Sequence, residues 1–423
     1  MKNNKNFLLY IFLLLTILTT FSTLSLAQVL TFQSPAPVSD GLFGIAPCSP
    51  GDLNGDGKSE LIFSEIAGTN YSGKVHIFSG ANGSIIRTLT SPNPQNGGIF
   101  LYTAIISDLN GDTVPEIIVG ASGEDITQGP TTYYMTGRAY LFNGATGALV
   151  HTFEPPTPED YASFGIRSCE IGDNNGDGTK DILIAQNQTS TTNNINVHIF
   201  SGNGFSLLKT LEVPISDTDS DGLTGSVSGI IDMDFDGKED IIIGLPRQQN
   251  GLSVETGAIV IFSSNTGNLI RQIDDPDPRD DNWFGTYFKL LPDRNSDGKP
   301  EIITWAYEAT QPGFSGYNQG VAYIFSSADG SLLNTIFTPN PENNGYFGST
   351  VCTMGDLDGD STYEIVIGSQ ETYQYSHDEK VYIFSGATLS HITTLHSPTP
   401  AYEGYFGGVN TVPDIDGKGK TIY

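Results

Sequence analysis

Six short segments carry side-chain oxygens at the first, third, fifth and ninth positions of a nine-residue loop. They are Asp52, Asn54, Asp56 and Glu60; Asp108, Asn110, Asp112 and Glu116; Asp173, Asn175, Asp177 and Asp181; Asp232, Asp234, Asp236 and Asp240; Asp293, Asn295, Asp297 and Glu301; and Asp356, Asp358, Asp360 and Glu364. Alternate residues of a curling loop point inward, so this spacing converges oxygens on one point. Such a point suits a hard divalent cation. Backbone carbonyls at position seven, from Lys58, Val114, Thr179, Lys238, Lys299 and Thr362, would complete a calcium shell with bonds of roughly 2.3–2.6 Å. Magnesium keeps its waters and fits a protein cage less well. An EF-hand would need a bidentate acid at position twelve, where the first loop has Phe63. Asp, Asn and Gly are also good turn formers, but a turn accounts for one aspartate, not for four oxygen-bearing side chains repeated in phase. The expectation is Ca2+, about six ions, one per complete repeat.

The loops are not equivalent. Position six holds Gly57, Gly178, Gly237 and Gly298, but Thr113 and Ser361 in the second and sixth loops, where a left-handed residue costs roughly 1–2 kcal/mol. The fourth loop, with four carboxylates and its glycine, is expected to bind most tightly. A seventh segment has Asp414, Asp416 and Gly417, then Lys418 at position five and Ile422 at position nine, and is expected to be empty.

The elements that must position these loops repeat with them. First-loop aspartates fall at 52, 108, 173, 232, 293, 356 and 414, and a period of roughly 60 residues demands a stacked or radial architecture. Most units open on Phe-Gly, at Phe43-Gly44, Phe164-Gly165, Phe284-Gly285, Phe347-Gly348 and Phe406-Gly407; units two and four lack the pair, and Gly98-Ile99-Phe100 makes the entry to unit two the most divergent. After each acidic loop comes an apolar run such as Ile117-Ile118-Val119 or Ile241-Ile242-Ile243, which reads as a strand buried on both faces. A further strand follows (Lys74–Phe78, Arg138–Phe142), then a turn such as Asn82-Gly83 or Asp329-Gly330, then a closing strand (Ile85–Leu89, Leu332–Ile336). Four antiparallel strands per unit make a propeller blade. The fold class is therefore all-β: a β-propeller of about seven four-stranded blades, with units starting near 43, 100, 164, 225, 284, 347 and 406 and the seventh incomplete in this chain. Proline-rich crossovers join the units, with Tyr161, Trp283, Tyr346 and Tyr405 just ahead of the blade openings.

The Phe-Gly openings, the Asp-x-Asn/Asp-x-Asp-Gly-x-x-Asp/Glu loops and the apolar strand after them resemble the FG-GAP repeats of integrin α-chain N-terminal propellers. The resemblance covers nearly all of residues 28–423. It implies a propeller of about seven blades, with calcium bracing hairpins on one face and loops on the other face available to partners.

Bulk properties agree with an extracellular setting. Lys2 and Lys5 precede the apolar stretch Phe7–Leu15, and small residues end at Ser25-Leu26-Ala27, the pattern of a signal peptide over residues 1–27. No later apolar run approaches the roughly 20 residues of a membrane span. A net charge of −29 argues against nucleic acid as a partner. Cys48, Cys169 and Cys352 each stand four residues before a loop aspartate in non-adjacent units, too far apart to be bridged, and read as small packing residues. His76 and His198 share a strand position and read as packing residues too. No Gly-x-Ser-x-Gly elbow or His-Glu-x-x-His pair is present. The expected role is therefore that of a secreted, non-enzymatic, calcium-binding propeller for extracellular recognition or adhesion to a protein or surface ligand. Two alternatives stay open: a lectin stacking sugars on the pre-opening aromatics, and the propeller portion of a secreted polysaccharide-acting enzyme.

Overall fold

The computed structural model describes residues 32–36, 42–66, 70–187, 194–215, 225–249, 255–369 and 380–396. The chain divides into two units, Met1–Gln33 and Ser34–Tyr423, and every sheet belongs to the second. The expected signal peptide and the seventh repeat from Phe406 lie outside the described residues.

Within those residues the fold is an all-β propeller of six four-stranded antiparallel blades. Blade one contains β1 (Leu42–Gly51), β2 (Glu60–Ile66), β3 (Lys74–Phe78) and β4 (Ile85–Leu89). Blade two contains β5 (Phe100–Ile106), β6 (Glu116–Ala121), β9 (Arg138–Phe142) and β10 (Leu149–Phe153), with the small hairpin β7 (Ile126–Gln128) and β8 (Thr131–Tyr133) inserted before its third strand. Blades three to six are β11 (Arg167–Ile171) to β14 (Leu207–Pro214), β15 (Val227–Ile230) to β18 (Leu269–Asp274), β19 (Phe288–Leu291) to β22 (Leu332–Ile336) and β23 (Phe347–Met354) to β26 (His391–His396). First strands converge on the axis: Arg167 of blade three lies over Tyr102 of blade two and Tyr287 of blade five.

The second strands are the uninterrupted apolar runs of the sequence. Every residue of β6, β12 (Asp181–Gln186), β16 (Asp240–Leu245), β20 (Glu301–Ala306) and β24 (Glu364–Ser369) is buried. They are covered on both faces because neighbouring blades pack face to face. The core is accordingly a series of apolar layers, one between each adjacent pair from blades one and two to blades five and six.

The Phe-Gly opening is what joins one blade to the next. Phe100, Phe164, Phe284 and Phe347 are wholly buried, and each donates its backbone N–H to the preceding blade, to the carbonyls of Ser72, Thr136, Thr256 and Gln319 at 2.7–3.1 Å. Each ring then packs on alternate residues of its own blade's third strand: Phe100 on Tyr140 and Phe142, Phe164 on His198 and Phe200, Phe284 on Tyr323 and Phe325, Phe347 on Tyr382 and Phe384. The recurring His/Tyr-x-Phe of the third strand is thus the seat for this ring, which bears out the packing role read for His76 and His198. Burial holds the His198 imidazole down at about 4, and His76 is clamped between Glu65 and Thr88. Unit two is regular after all: Phe100 takes the common place, and only the glycine after it has become Leu101.

The preceding blade offers glycine at the point of contact. A methyl group on Gly137 or Gly257 would run into the backbone carbonyl of Phe164 or Phe284, and both glycines are left-handed. The flanking pairs Tyr71/Ile99, Met135/Ser163, Glu255/Trp283 and Asn318/Tyr346 are also left-handed, with φ between 42° and 55°, an uncommon conformation for such side chains. The acceptor of each pair bonds the backbone N–H of its partner. Tyr161 stands three residues before its phenylalanine, whereas Trp283 and Tyr346 stand one before theirs, so the three rings are not equivalent.

None of the three cysteines is in a disulfide. Cys352 is buried, while Cys48 and Cys169 are half-buried residues whose thiols burial pushes up to about 11 and about 12.

Phe164→Ala should cost about 3–5 kcal/mol, the usual loss for a buried aromatic. Gly137→Ala should cost at least about 1 kcal/mol more than Gly129→Ala, because both glycines are left-handed but Gly129 faces open space. Urea unfolding of the variants reads both; equal costs for the two glycines would remove the inter-blade contact as the reason for glycine.

Candidate metal centres

Each acidic loop joins the first strand of a blade to the second. Because all six blades run in the same order outward from the axis, the loops stand together at one end of the ring. Their local structure is organised by carboxylates accepting backbone N–H groups. In the first loop Asp52 accepts from Gly55 and Gly57 at 2.7 Å and from Asp56 at 3.2 Å. The first aspartates of the other loops accept from positions four and six in the same way, at 2.6–2.9 Å. Position five accepts from position seven at 2.8–3.0 Å throughout. The ninth-position acid closes the base of the loop: Glu60, Glu116, Asp181, Asp240, Glu301 and Glu364 are buried, and each takes the N–H of position two.

To bring these N–H groups inward, positions four and six are both left-handed. Position six is Gly57, Thr113, Gly178, Gly237, Gly298 and Ser361, as the sequence indicated. Position four was not singled out there. It holds Gly55, Gly111, Gly176 and Gly359, but Phe235 (φ 64°) in the fourth loop and Ser296 (φ 65°) in the fifth; the four glycines were the available signal. The fourth loop, expected to bind most tightly, therefore carries backbone strain of its own at Phe235.

Carboxylate oxygens lie within 4.8 Å of one another in four of the loops: Asp52, Asp56 and Glu60; Asp108, Asp112 and Glu116; Asp232, Asp234 and Asp240; Asp356, Asp358 and Asp360. In the third and fifth loops the amides of Asn175 and Asn295 instead donate to Asp177 and Asp297 at 2.8 Å. The gathered oxygens fit a hard cation. Burial first, and then the charges of Asp56 and Asp52, hold the Glu60 carboxyl up at about 7; burial, with Asp234 and Asp236, does the same to Asp240 at about 6. One oxygen of Glu364 is buried without a hydrogen-bond partner. Negative charge concentrated this way, with a carboxylate oxygen left over, is what a divalent ion offsets. The position-seven carbonyls of Lys58, Val114, Thr179, Lys238, Lys299 and Thr362 are backbone donors whose role stays an expectation.

Neighbouring blades are tied together around these loops by contacts the sequence did not advertise. Arg87, Lys209 and Arg271, each two residues before a buried Leu89, Leu211 or Ile273, reach carbonyls in the next blade's outer turn, at Gly144 and Ala145, Asn265, and Ala328. Lys299 of the fifth loop donates to the Asp232 carbonyl of the fourth and lies 4.6 Å from the Phe235 ring centre.

Of the rings considered for sugar stacking, Tyr161 and Trp283 are exposed, Tyr346 is half-buried against Tyr307, and Tyr405 lies outside the described residues. Among the described residues no helix is long and apolar enough to cross a membrane.

No family model matches the chain. It is similar to integrin alpha-8 of Mus musculus, 27% identical over 224 residues, covering 52% of this chain and 21% of that protein. It is similar also to integrin alpha-2 of Mus musculus, 27% identical over 155 residues (34% of this chain, 13% of that protein), and to integrin alpha-4 of Xenopus laevis, 25% identical over 208 residues (46% and 19%). The matched region thus spans about a fifth or less of the length of these relatives.

Relieving or adding left-handed strain should move loop stability in opposite directions. Ser296→Gly should stabilise the chain by about 1 kcal/mol and Gly298→Ala should destabilise it by about 1–2 kcal/mol, measured by equilibrium unfolding in chelator. Shifts of the same sign would contradict the conformational account of positions four and six.

Proposed function

We propose that this chain, an integrin-like FG-GAP β-propeller by its repeats, its six blades and its relatives, is a secreted, calcium-braced module for extracellular recognition or adhesion. The observation that carries the reading is the gathering of the acidic loops at one end of the ring. Calcium held there by the first, third, fifth and ninth side chains would stiffen the hairpins that link inner to second strands. The opposite end carries the turns between second and third strands and the inter-blade crossovers, and it exposes Tyr71, Tyr134, Tyr161, Trp283 and Tyr317. Tyrosine and tryptophan supply large contact area with a polar tip, which suits a protein ligand.

A lectin function is the second reading, favoured by the exposure of Tyr161 and Trp283. Catalysis finds less support: the acidic groups are engaged in loop structure, and the relatives are integrin α chains.

Calcium titration by calorimetry should show several ions bound. Calcium at 100 times its dissociation constant should add about 2.7 kcal/mol of stability per site, read as a higher unfolding temperature that chelator reverses. An unfolding temperature indifferent to calcium would remove the bracing role. The recognition end is tested separately, by solid-phase binding to immobilised extracellular-matrix proteins and to a glycan array. Tyr134→Ala with Tyr161→Ala should lower binding to any hit at least about tenfold, the effect of losing a central aromatic contact, and leave calcium stabilisation unchanged. Unchanged binding would exclude that end as the recognition face.

A further inference from the structure

The end of the ring that carries the acidic loops also carries apolar side chains that no packing role absorbs. The first residue of the fourth strand takes the same place in five blades, as Ile85, Leu149, Leu207, Leu269 and Leu332, each paired with a third-strand phenylalanine. All five are 42–51% exposed. Because the outer turn precedes each of them, they stand at the acidic-loop end, and their shared register sets them at one height around the rim. Inside that rim, at the tip of the fourth loop, Phe235 is 83% exposed, more than any other large apolar side chain among the described residues.

The loop's own structure does not call for this phenylalanine. It stands at position four, left-handed at φ 64°, where four of the six loops hold glycine. A side chain that adds left-handed strain and leaves its apolar surface in water stabilises neither the loop nor the core. Three lysines gather around the same loop. Lys299 lies 4.6 Å from the Phe235 ring centre and donates to the Asp232 carbonyl, Lys238 donates to Asn265 Oδ1 at 3.2 Å, and Lys209 donates to the Asn265 carbonyl. Each ammonium is thus held on a neutral oxygen and keeps further N–H groups for an anion. Burial first, and then the charge of Lys238, lower the Lys209 ammonium from its ordinary value, so two like charges share this corner.

We propose that this end of the ring, at blades three to five, docks on a membrane surface bearing anionic phospholipid, with Phe235 inserted, Leu207 and Leu269 at the interface, and Lys209, Lys238 and Lys299 on lipid phosphates. A level rim fits a flat surface, and apolar tips beside ammoniums fit the boundary between acyl chains and phosphates. Each lysine close to an anionic leaflet adds attraction. The inference goes beyond recognition at the opposite end and rests on the calcium reading above. Asp232, Asp234, Asp236 and Asp240 of the fourth loop and Asp293, Asp297 and Glu301 of the fifth repel such a leaflet until a divalent ion offsets them, so docking requires calcium.

Vesicles of equal parts phosphatidylglycerol and phosphatidylcholine should carry the chain down on centrifugation in calcium and release it in chelator, while phosphatidylcholine alone should bind at least about tenfold more weakly. Phe235→Gly should weaken vesicle binding at least about tenfold, the loss of one inserted aromatic. It should not lower the unfolding temperature, because it removes left-handed strain. Lys209→Gln should weaken binding about fivefold. Thermal unfolding with and without calcium is followed alongside. If calcium raises the unfolding temperature but the chain stays off the vesicles, docking fails and calcium bracing stands; if calcium does neither, both fail. Equal binding to phosphatidylcholine, or unchanged binding in Phe235→Gly, would each overturn the proposal. So would calcium-dependent self-association without lipid, seen by sedimentation velocity and abolished by Phe235→Gly, which would make a second copy the occupant of this face.

Discussion

The structure depends on the docking of an opening phenylalanine between two blades, made by Phe100, Phe164, Phe284 and Phe347. A four-stranded sheet buries its second strand only if neighbours cover both faces, and the phenylalanine fixes how those neighbours meet. Its backbone belongs hydrogen-bond by hydrogen-bond to the preceding blade, while its ring belongs to the third strand of its own. Both requirements fall on one residue, so blade spacing and blade tilt are set together. The left-handed pairs beside it, from Tyr71/Ile99 to Asn318/Tyr346, are the conformational cost of bringing two backbones this close.

The acidic loops obey a related economy. Their carboxylates do two jobs, holding the loop's own N–H groups and presenting oxygens outward to a common point. The first aspartate accepts from positions four to six, and the buried ninth acid accepts from position two. A loop folded by its carboxylates concentrates negative charge, and burial, together with the neighbouring acids, raises the Glu60 and Asp240 carboxyls. The acidic loops thereby concentrate carboxylates at one end of the ring. The similarity to integrin α chains extends over a limited part of those proteins' length.

Much of this was legible in the amino-acid sequence. Strict phase between the acidic loops, the Phe-Gly openings and the apolar runs dictates four short strands per unit, because oxygen ligands, left-handed glycines and doubly buried strands each leave a local signature within a few residues. The identity of the loop residues, the burial of the second strands and the packing role of His198 follow from that local signature alone. Tertiary structure decided what depends on residues far apart in the chain. That Phe100 completes the set despite Leu101 is visible only from its seat on Tyr140 and Phe142; that Arg87 and Lys209 bind the next blade's outer turn requires residues more than fifty positions away; and the meeting of Arg167, Tyr102, Tyr287 and Trp305 requires segments of three blades to share an axis. Repeat periodicity specifies each blade because its interactions are short in sequence, but it is blind to the axis, where contacts are made between single residues whose only relation is their radial position.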